Sequence, residues 1–135
     1  MPKRLCYLAA PWVDRAKMPT IAEKFESCGH TITHKWWLHE GGYDAPKAEL
    51  ERQALSDVFG VKRADVLVLI NSQKSEGKAV EQGIAIAEEK PIVAVGRLGE
   101  IGMNVFHRLS NYTWVESVEE AVRVVTTGKG LWSRY

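Results

Sequence analysis

Short apolar runs alternate along the chain with segments whose apolar residues recur at helical spacing. Runs bounded by turn-forming residues predict strands, and apolar spacings of three and four predict amphipathic helices. The pattern predicts strands at residues 5–9, 31–37, 64–70, 92–95 and 112–115. It predicts helices at residues 18–28, 47–61, 79–89 and 117–126. Strands and helices therefore alternate from one end of the chain to the other.

The run at residues 64–70, ADVLVLI, is typical of a strand buried on both faces of a parallel sheet. Parallel strands need crossover connections, which are right-handed and usually helical. We therefore predict an α/β fold, a three-layer α/β/α sandwich with a Rossmann-like or flavodoxin-like five-stranded parallel sheet. With 135 residues the chain has the size of one domain, with residues 126–135 as a C-terminal tail.

The charge balance excludes several classes of partner. Eighteen Lys and Arg residues oppose 17 Asp and Glu residues, so the net charge is +1. This leaves no broad positive field for a nucleic acid polymer or an anionic membrane. No apolar stretch approaches the roughly 20 residues that span a bilayer, and the N-terminus lacks a signal-peptide core, so a cytoplasmic protein is expected. Cys6 and Cys28 form no metal or redox spacing and are expected to be reduced.

The loop after the third strand could bind an anion. In open α/β sheets ligands bind beyond the carboxyl ends of the strands. The loop NSQKSEG places Ser75 and Gly77 before a predicted helix, whose free N–H groups favour a phosphate. It matches neither the Walker A nor the dinucleotide glycine pattern, so a plain helix cap is the alternative. Lys74, Lys78 and Arg15 could neutralise a phosphate or be ordinary surface cations.

Two carboxylates are candidates for chemistry. Glu81 falls in the first turn of the predicted helix, where the dipole favours its ionised form; a structural helix-start charge is the alternative. Asp57 lies beside the apolar stripe of the preceding helix, where a carboxylate must be paired or used; a salt bridge is the alternative. A pair of carboxylates fits glycosidic bond cleavage, in which one attacks the anomeric carbon and the other assists the leaving group.

Aromatic residues near the first two strands are candidates for holding a base. Trp12 follows the first strand, and Trp36 and Trp37 stand at the end of the second. Stacking on a base and ordinary packing are both open readings of these residues. The neighbouring His34 and His39 lack a helical ligand spacing, so no metal site is predicted.

Three blocks resemble one enzyme family. LCYLAAPW, DVFGVKRADVLVLI and SEGKAVEQGIAIAEEKPIVAV are similar to blocks of the nucleoside 2-deoxyribosyltransferases and of the related 2′-deoxynucleoside 5′-monophosphate N-hydrolases and CMP hydrolases, over residues 3–125. The resemblance implies that Glu81 is a nucleophile that forms a covalent sugar ester. It implies that Asp57 contacts the base and assists its departure, and that Tyr7 orients the nucleophile.

The branches of this family differ six positions before the nucleophile. Transferases similar to this chain have Asp there and the nucleotide hydrolases have Ser, so Ser75 implies a 5′-phosphate on the substrate. The PWVDR loop and the terminal Tyr135 resemble the transferases instead. By the same resemblance, Ser110 or Asn111 of a partner subunit would complete the site, which implies a homodimer or a larger homo-oligomer.

The expected function is hydrolysis of the N-glycosidic bond of (2′-deoxy)nucleoside 5′-monophosphates, without a cofactor. One alternative is base exchange between deoxynucleosides by the same residues. An alternative from another class is a nucleotide-sensing domain that binds without turnover.

Overall fold

A computed structural model describes residues 2–40, 42–102 and 104–133. Its strands form one parallel sheet in the order β2-β1-β3-β4-β5. They are β1 (Leu5–Ala9), β2 (Thr31–Ile32), β3 (Val66–Ile70), β4 (Ile92–Val95) and β5 (Tyr112–Val115). The predicted fold class is therefore confirmed.

Helices cover both faces of the sheet. They are α1 (Met18–Glu26), α2 (Lys47–Arg63), α3 (Glu76–Ala87) and α4 (Val118–Thr127). Helix α1 packs against α4, and α2 packs against α3, which gives the three layers. Every residue of β3 is buried, as the continuous apolar run predicts for a central strand. No helix in the described part of the chain is long and apolar enough to cross a membrane.

The second strand is shorter than predicted. It ends at Ile32, and the chain turns into a short 3-10 helix, Trp36–Leu38. The indole N–H of Trp36 donates to the carbonyl oxygen of Leu8 at 2.7 Å, which ties this turn to β1. Strand-like alternation at residues 31–37 was therefore misleading, because the two tryptophans pack through a turn rather than along a strand.

Helix α3 begins earlier than predicted. Its first residue is Glu76, and its N-cap is Ser75, whose hydroxyl oxygen accepts from the backbone N–H of Lys78 at 3.4 Å. Glu81 therefore lies in the second turn of the helix and not in the first. Since the dipole acts mainly within the first turn, it contributes little to the ionisation of Glu81, contrary to the prediction.

The sheet has a switch point between β1 and β3. From β1 the chain moves outward to β2 on one side, and it then crosses to β3 and continues to β4 and β5 on the other. The segments that follow β1 and β3 therefore diverge at the carboxyl edge and leave a crevice there. A short 3-10 helix, Trp12–Lys17, follows β1 at this edge, and residues 71–75 follow β3.

Candidate functional site

Tyr7 and Glu81 meet over the carboxyl half of the sheet. Tyr7 is the third residue of β1 and is completely buried. Its hydroxyl donates a hydrogen bond to Oε2 of Glu81, which projects half-buried from α3. Burial raises the pKa of Tyr7 far above its usual value, and the nearby carboxylates raise it further. Tyr7 is therefore a permanent hydrogen-bond donor at this site.

Asp57 of α2 completes the cluster. Burial raises the pKa of Asp57, and His39 and the nearby Tyr7 hydroxyl oppose this rise, so the phenol lies near both carboxyl groups. Oδ1 of Asp57 is buried and has no hydrogen-bond partner among the described residues. Three elements, β1, α2 and α3, thus bring Tyr7, Asp57 and Glu81 together, as the resemblance implied.

The two carboxyl groups have separated pKa values. Burial raises the pKa of Glu81 to about 8. The hydrogen bond from Tyr7 and the charge of Lys78 lower this pKa, whereas the charge of Asp57 raises it. Burial also raises the pKa of Asp57 to about 6, opposed by the charge of His39 and the bond with Tyr7. With apparent pKa values of about 8 and about 6, the coupled pair holds one proton near neutral pH.

Gly60 makes room for the Tyr7 ring, a role that the sequence pattern alone does not predict. A Cβ atom at Gly60 would lie 2.9 Å from Cδ2 of Tyr7 and 2.9 Å from Cβ of His34. These distances are shorter than side chains tolerate, so only glycine lets α2 approach β1 this closely. A glycine inside a helix-forming segment was the signal that could have pointed to it.

Aromatic side chains wall a cavity of about 140 Å³ beside Asp57. The rings of Trp12 and Trp36 have centroids 6.1 Å apart, and Tyr43 lines the cavity with them. His39 and Gln53 add polar groups to the same wall. Trp37, the predicted wall residue, is instead buried edge-on against Trp36 and does not line this cavity.

Two histidines contact each other next to Asp57. The Nε2 atoms of His34 and His39 are 2.9 Å apart, and Nε2 of His34 lies 3.5 Å from Oδ1 of Asp57. One ligand atom from each of the three residues lies within 4.8 Å of the others. In the described part of the chain, this cluster is a place where a metal ion could be held. Their arrangement also suits a hydrogen-bonded chain, and the predicted absence of a metal stays a prediction.

The predicted phosphate loop lies at the N-terminus of α3. Ser75 caps the helix, and a Cβ atom at Gly77 would meet only Oγ of Ser75, at 3.8 Å, so the surface here is open. Lys74 is exposed, whereas Lys78 is only 2% exposed and is not a surface lysine. Its ammonium group donates to three oxygens of the preceding segment instead.

A second contact joins the segments that follow β1 and β3. The hydroxyl of Ser72 donates to the buried carboxylate of Asp14. Arg15, a predicted phosphate neutraliser, lies with Cζ 4.8 Å from the centroid of the Trp12 ring, a cation–π arrangement. The two segments that border the crevice are therefore fixed to each other.

Ser110 and Asn111 lie at the opposite edge of the sheet. The side-chain amide of Asn111 donates to the carbonyl oxygen of Lys90, just before β4 begins, and Ser110 is exposed. Among the described residues no hydrogen bond joins either residue to Glu81, and their role in a partner's site stays a prediction. Tyr135, whose carboxylate the transferase alternative invokes, lies outside the described residues.

Comparisons with known proteins show a likeness in fold. No protein-family model and no curated protein sequence matches the chain. Among solved structures, the CMP N-glycosidase BcmB of Clostridium botulinum matches with a TM-score of 0.62 and 16% identity. The match covers 92% of this chain and 98% of that one. The protein therefore shares its fold with a nucleotide N-glycosidase.

Proposed function

We propose that the protein hydrolyses the N-glycosidic bond of nucleoside 5′-monophosphates, with 2′-deoxynucleotides as the preferred form. The observation that carries this proposal is the buried Tyr7 hydroxyl at the switch point of the sheet, which donates to Glu81 and lies close to Asp57. Two carboxyl groups with separated pKa values, joined by one phenol, suit a reaction that needs one nucleophile and one acid. The shared fold with a CMP N-glycosidase supports the same activity.

The first step requires the proton of the pair on Asp57. Burial raises the pKa of both carboxyl groups, so the coupled pair retains one proton near neutral pH. Tyr7 lies beside both groups. It can give its hydroxyl proton to Asp57 while it receives the proton of Glu81. The result is an ionised nucleophile and a protonated acid.

The glycosidic bond then breaks by displacement. An oxygen of Glu81 forms a bond to C1′ of the sugar as the bond from C1′ to the base nitrogen breaks. Asp57 gives its proton to the departing base. The product of this step is free base and a sugar phosphate esterified to Glu81.

Water completes the reaction. Asp57, now ionised, accepts a proton from a water molecule whose oxygen attacks C1′ and releases Glu81. The second displacement restores the original configuration at C1′ and leaves one proton on the pair. A second base in place of water gives transfer instead of hydrolysis.

Binding groups lie on both sides of this cluster. Trp12 and Trp36 offer faces for stacking on a base within reach of Asp57. Ser75 and the first N–H groups of α3 offer donors for a phosphate. A hydroxyl at residue 75 donates to a phosphate, whereas a carboxylate would repel it, so the site favours a phosphorylated substrate.

A homodimer is part of the proposal. Leu55 and Phe59 of α2 are spaced by one helical turn and are 48% and 58% exposed, and Val80 of the adjacent α3 is 62% exposed. Such an apolar face is commonly covered by a partner. Light scattering should give about twice the chain mass of 15.2 kDa. Phe59→Glu should give a monomer, and a wild-type monomer at full activity would contradict the dimer.

The substrate assay is direct. The protein is incubated with each deoxynucleoside 5′-monophosphate and each deoxynucleoside, with and without a second free base, and released base is separated by chromatography. The proposal predicts base release from phosphorylated substrates and little exchange. Efficient exchange on unphosphorylated deoxynucleosides would instead identify a transferase. Tight binding of a nucleotide without release of base would identify a sensing domain.

A further inference from the structure

Lys78 is a buried cation beneath the proposed phosphate loop. It is the third residue of α3, and only 2% of its surface is exposed. Lysine is rarely buried so completely, because removing an ammonium group from water is costly unless oxygens replace the water. The chain must therefore supply those oxygens, and their positions show what the lysine holds.

All the acceptors of Lys78 belong to the segment that leads from β3 into α3. Its Nζ donates to the carbonyl oxygen of Gln73, to Oδ1 of Asn71 at 3.1 Å, and to the carbonyl oxygen of Ile70 at 3.5 Å. An ammonium group has three protons, so these bonds use all of them. Lys78 thus fixes the backbone that delivers Ser75 and has no proton left for a direct bond to substrate.

The charges around Lys78 are mainly negative. Asp14, from the segment after β1, and Glu81, from α3 itself, both raise its pKa. His107, from the 3-10 helix Val105–Arg108, also lies near enough for the ammonium charge to lower its pKa. Without the ammonium group, two carboxyl groups would flank the loop, and a phosphate there would add to their negative charge.

We infer that Lys78 is a positioning residue for the substrate phosphate: it holds residues 70–75 in the form that receives the phosphate and supplies the buried positive charge that makes the loop accept it. This inference rests on the proposed function, because it assumes that a nucleotide binds at this loop. It concerns binding, so it can be tested in a protein that does not turn over.

The test measures binding by calorimetry in the full chain carrying Glu81→Gln. A deoxynucleoside 5′-monophosphate and its unphosphorylated deoxynucleoside are titrated into this protein and into the same protein with Lys78→Met. The added change should weaken nucleotide binding at least about tenfold, or 1.4 kcal/mol, and leave nucleoside binding within about twofold. Lys74→Met, which removes an exposed lysine of the same loop, is the matched control and should have the smaller effect.

A second arm uses pH and does not depend on the folding of Lys78→Met. Burial lowers the pKa of Lys78 to about 8. Glu81→Gln removes the carboxyl group whose charge raises the pKa of Lys78 and which itself titrates near pH 8. Nucleotide affinity should therefore fall as pH rises to about 8 and above, because the ammonium group loses its charge. Lys78→Arg keeps its charge at these pH values and should keep its affinity.

The outcomes separate the inference from the proposed function. If Glu81→Gln protein binds neither ligand, the proposed function fails and the inference fails with it. Suppose instead that Glu81→Gln protein binds the nucleotide more tightly than the nucleoside. The inference alone is then overturned if Lys78→Met leaves this preference unchanged, or if Lys74→Met reduces it as much as Lys78→Met does. Equal loss of affinity at high pH with lysine and with arginine at residue 78 would overturn it as well.

Discussion

The hydroxyl of Tyr7 on β1 donates a hydrogen bond to the carboxyl group of Glu81 on α3. The same phenol lies close to Asp57 of α2, so one buried side chain stands beside carboxyl groups from two helices. Because Tyr7 is fixed within the central part of the sheet, it sets the positions of both groups relative to the crevice.

Tyr7→Phe should lower kcat/KM about 10- to 100-fold, the usual loss for a hydrogen bond to a charged group. The bond with Tyr7 lowers the pKa of both carboxyl groups, so both limbs of the pH profile should move to higher pH. Tyr112→Phe is the matched control, because its hydroxyl bonds Gln82 at 2.6 Å within the core. That control should reduce stability without moving the limbs, and an unmoved profile in Tyr7→Phe would contradict the role of Tyr7.

The pH profile of kcat/KM should be bell-shaped. Below about pH 6 both carboxyl groups are protonated and no nucleophile exists, and above about pH 8 both are ionised and no acid exists. Activity should therefore rise through about 6 and fall through about 8, with its maximum near neutrality. The falling limb should be measured in Lys78→Arg as well, because Lys78 also titrates near 8. A profile with a single limb would contradict the one-proton pair.

Glu81→Gln should stabilise the fold at high pH. The pKa of Glu81 is raised in the folded state, so its ionised form costs stability, and the cost grows as pH rises from the unfolded value through about 8. The gain in unfolding free energy should exceed about 1 kcal/mol at about pH 9 and be small at about pH 5, measured by urea unfolding. Glu119→Gln is the control, because the hydrogen bond with Lys24 lowers the pKa of Glu119 and no such gain is expected. Equal stability of wild type and Glu81→Gln at both pH values would show that Glu81 is not strained by burial.

Gly60→Ala should reduce activity and stability together. The added methyl group would lie 2.9 Å from the Tyr7 ring, so the ring must shift at a cost of about 1–3 kcal/mol. Gly83→Ala is the matched control, because Gly83 also lies within a helix and its Cβ would meet nothing within 4 Å. That change should raise stability by about 0.5–1 kcal/mol and leave activity intact. Full activity of Gly60→Ala would show that the position of Tyr7 does not matter.

Much of the fold could be predicted because local signals agreed with tertiary packing. Strands β1, β4 and β5 have the predicted bounds, since their apolar runs end at prolines, glycines or polar loops. Strand β2 could not be predicted correctly, because a bond from the Trp36 indole to Leu8, distant in sequence, draws the chain into a turn. The start of α3 was placed late because its first turn, Glu76 to Ala79, is mostly exposed and has no apolar pattern.

The residues of the candidate site could likewise be predicted only in part. Tyr7, Asp57 and Glu81 follow from the resemblance, and the structure brings them together. Gly60 was not predicted to matter, and Lys78 was predicted only as a phosphate neutraliser or a surface cation, because the roles of both depend on what lies opposite them, which local sequence does not reveal. The raised pKa of Glu81 could not be predicted either, since burial outweighs the helix dipole once α3 begins at Glu76.

The central claim is that Glu81 becomes bonded to the sugar. Rapid quenching during turnover of a deoxynucleoside 5′-monophosphate, followed by peptide mass spectrometry, measures this directly. The account predicts a sugar phosphate ester on the peptide that carries Glu81. In Glu81→Gln it predicts no ester and a loss of base release of at least about 10³-fold. Base release by Glu81→Gln at the wild-type rate, or an ester on another residue, would contradict it.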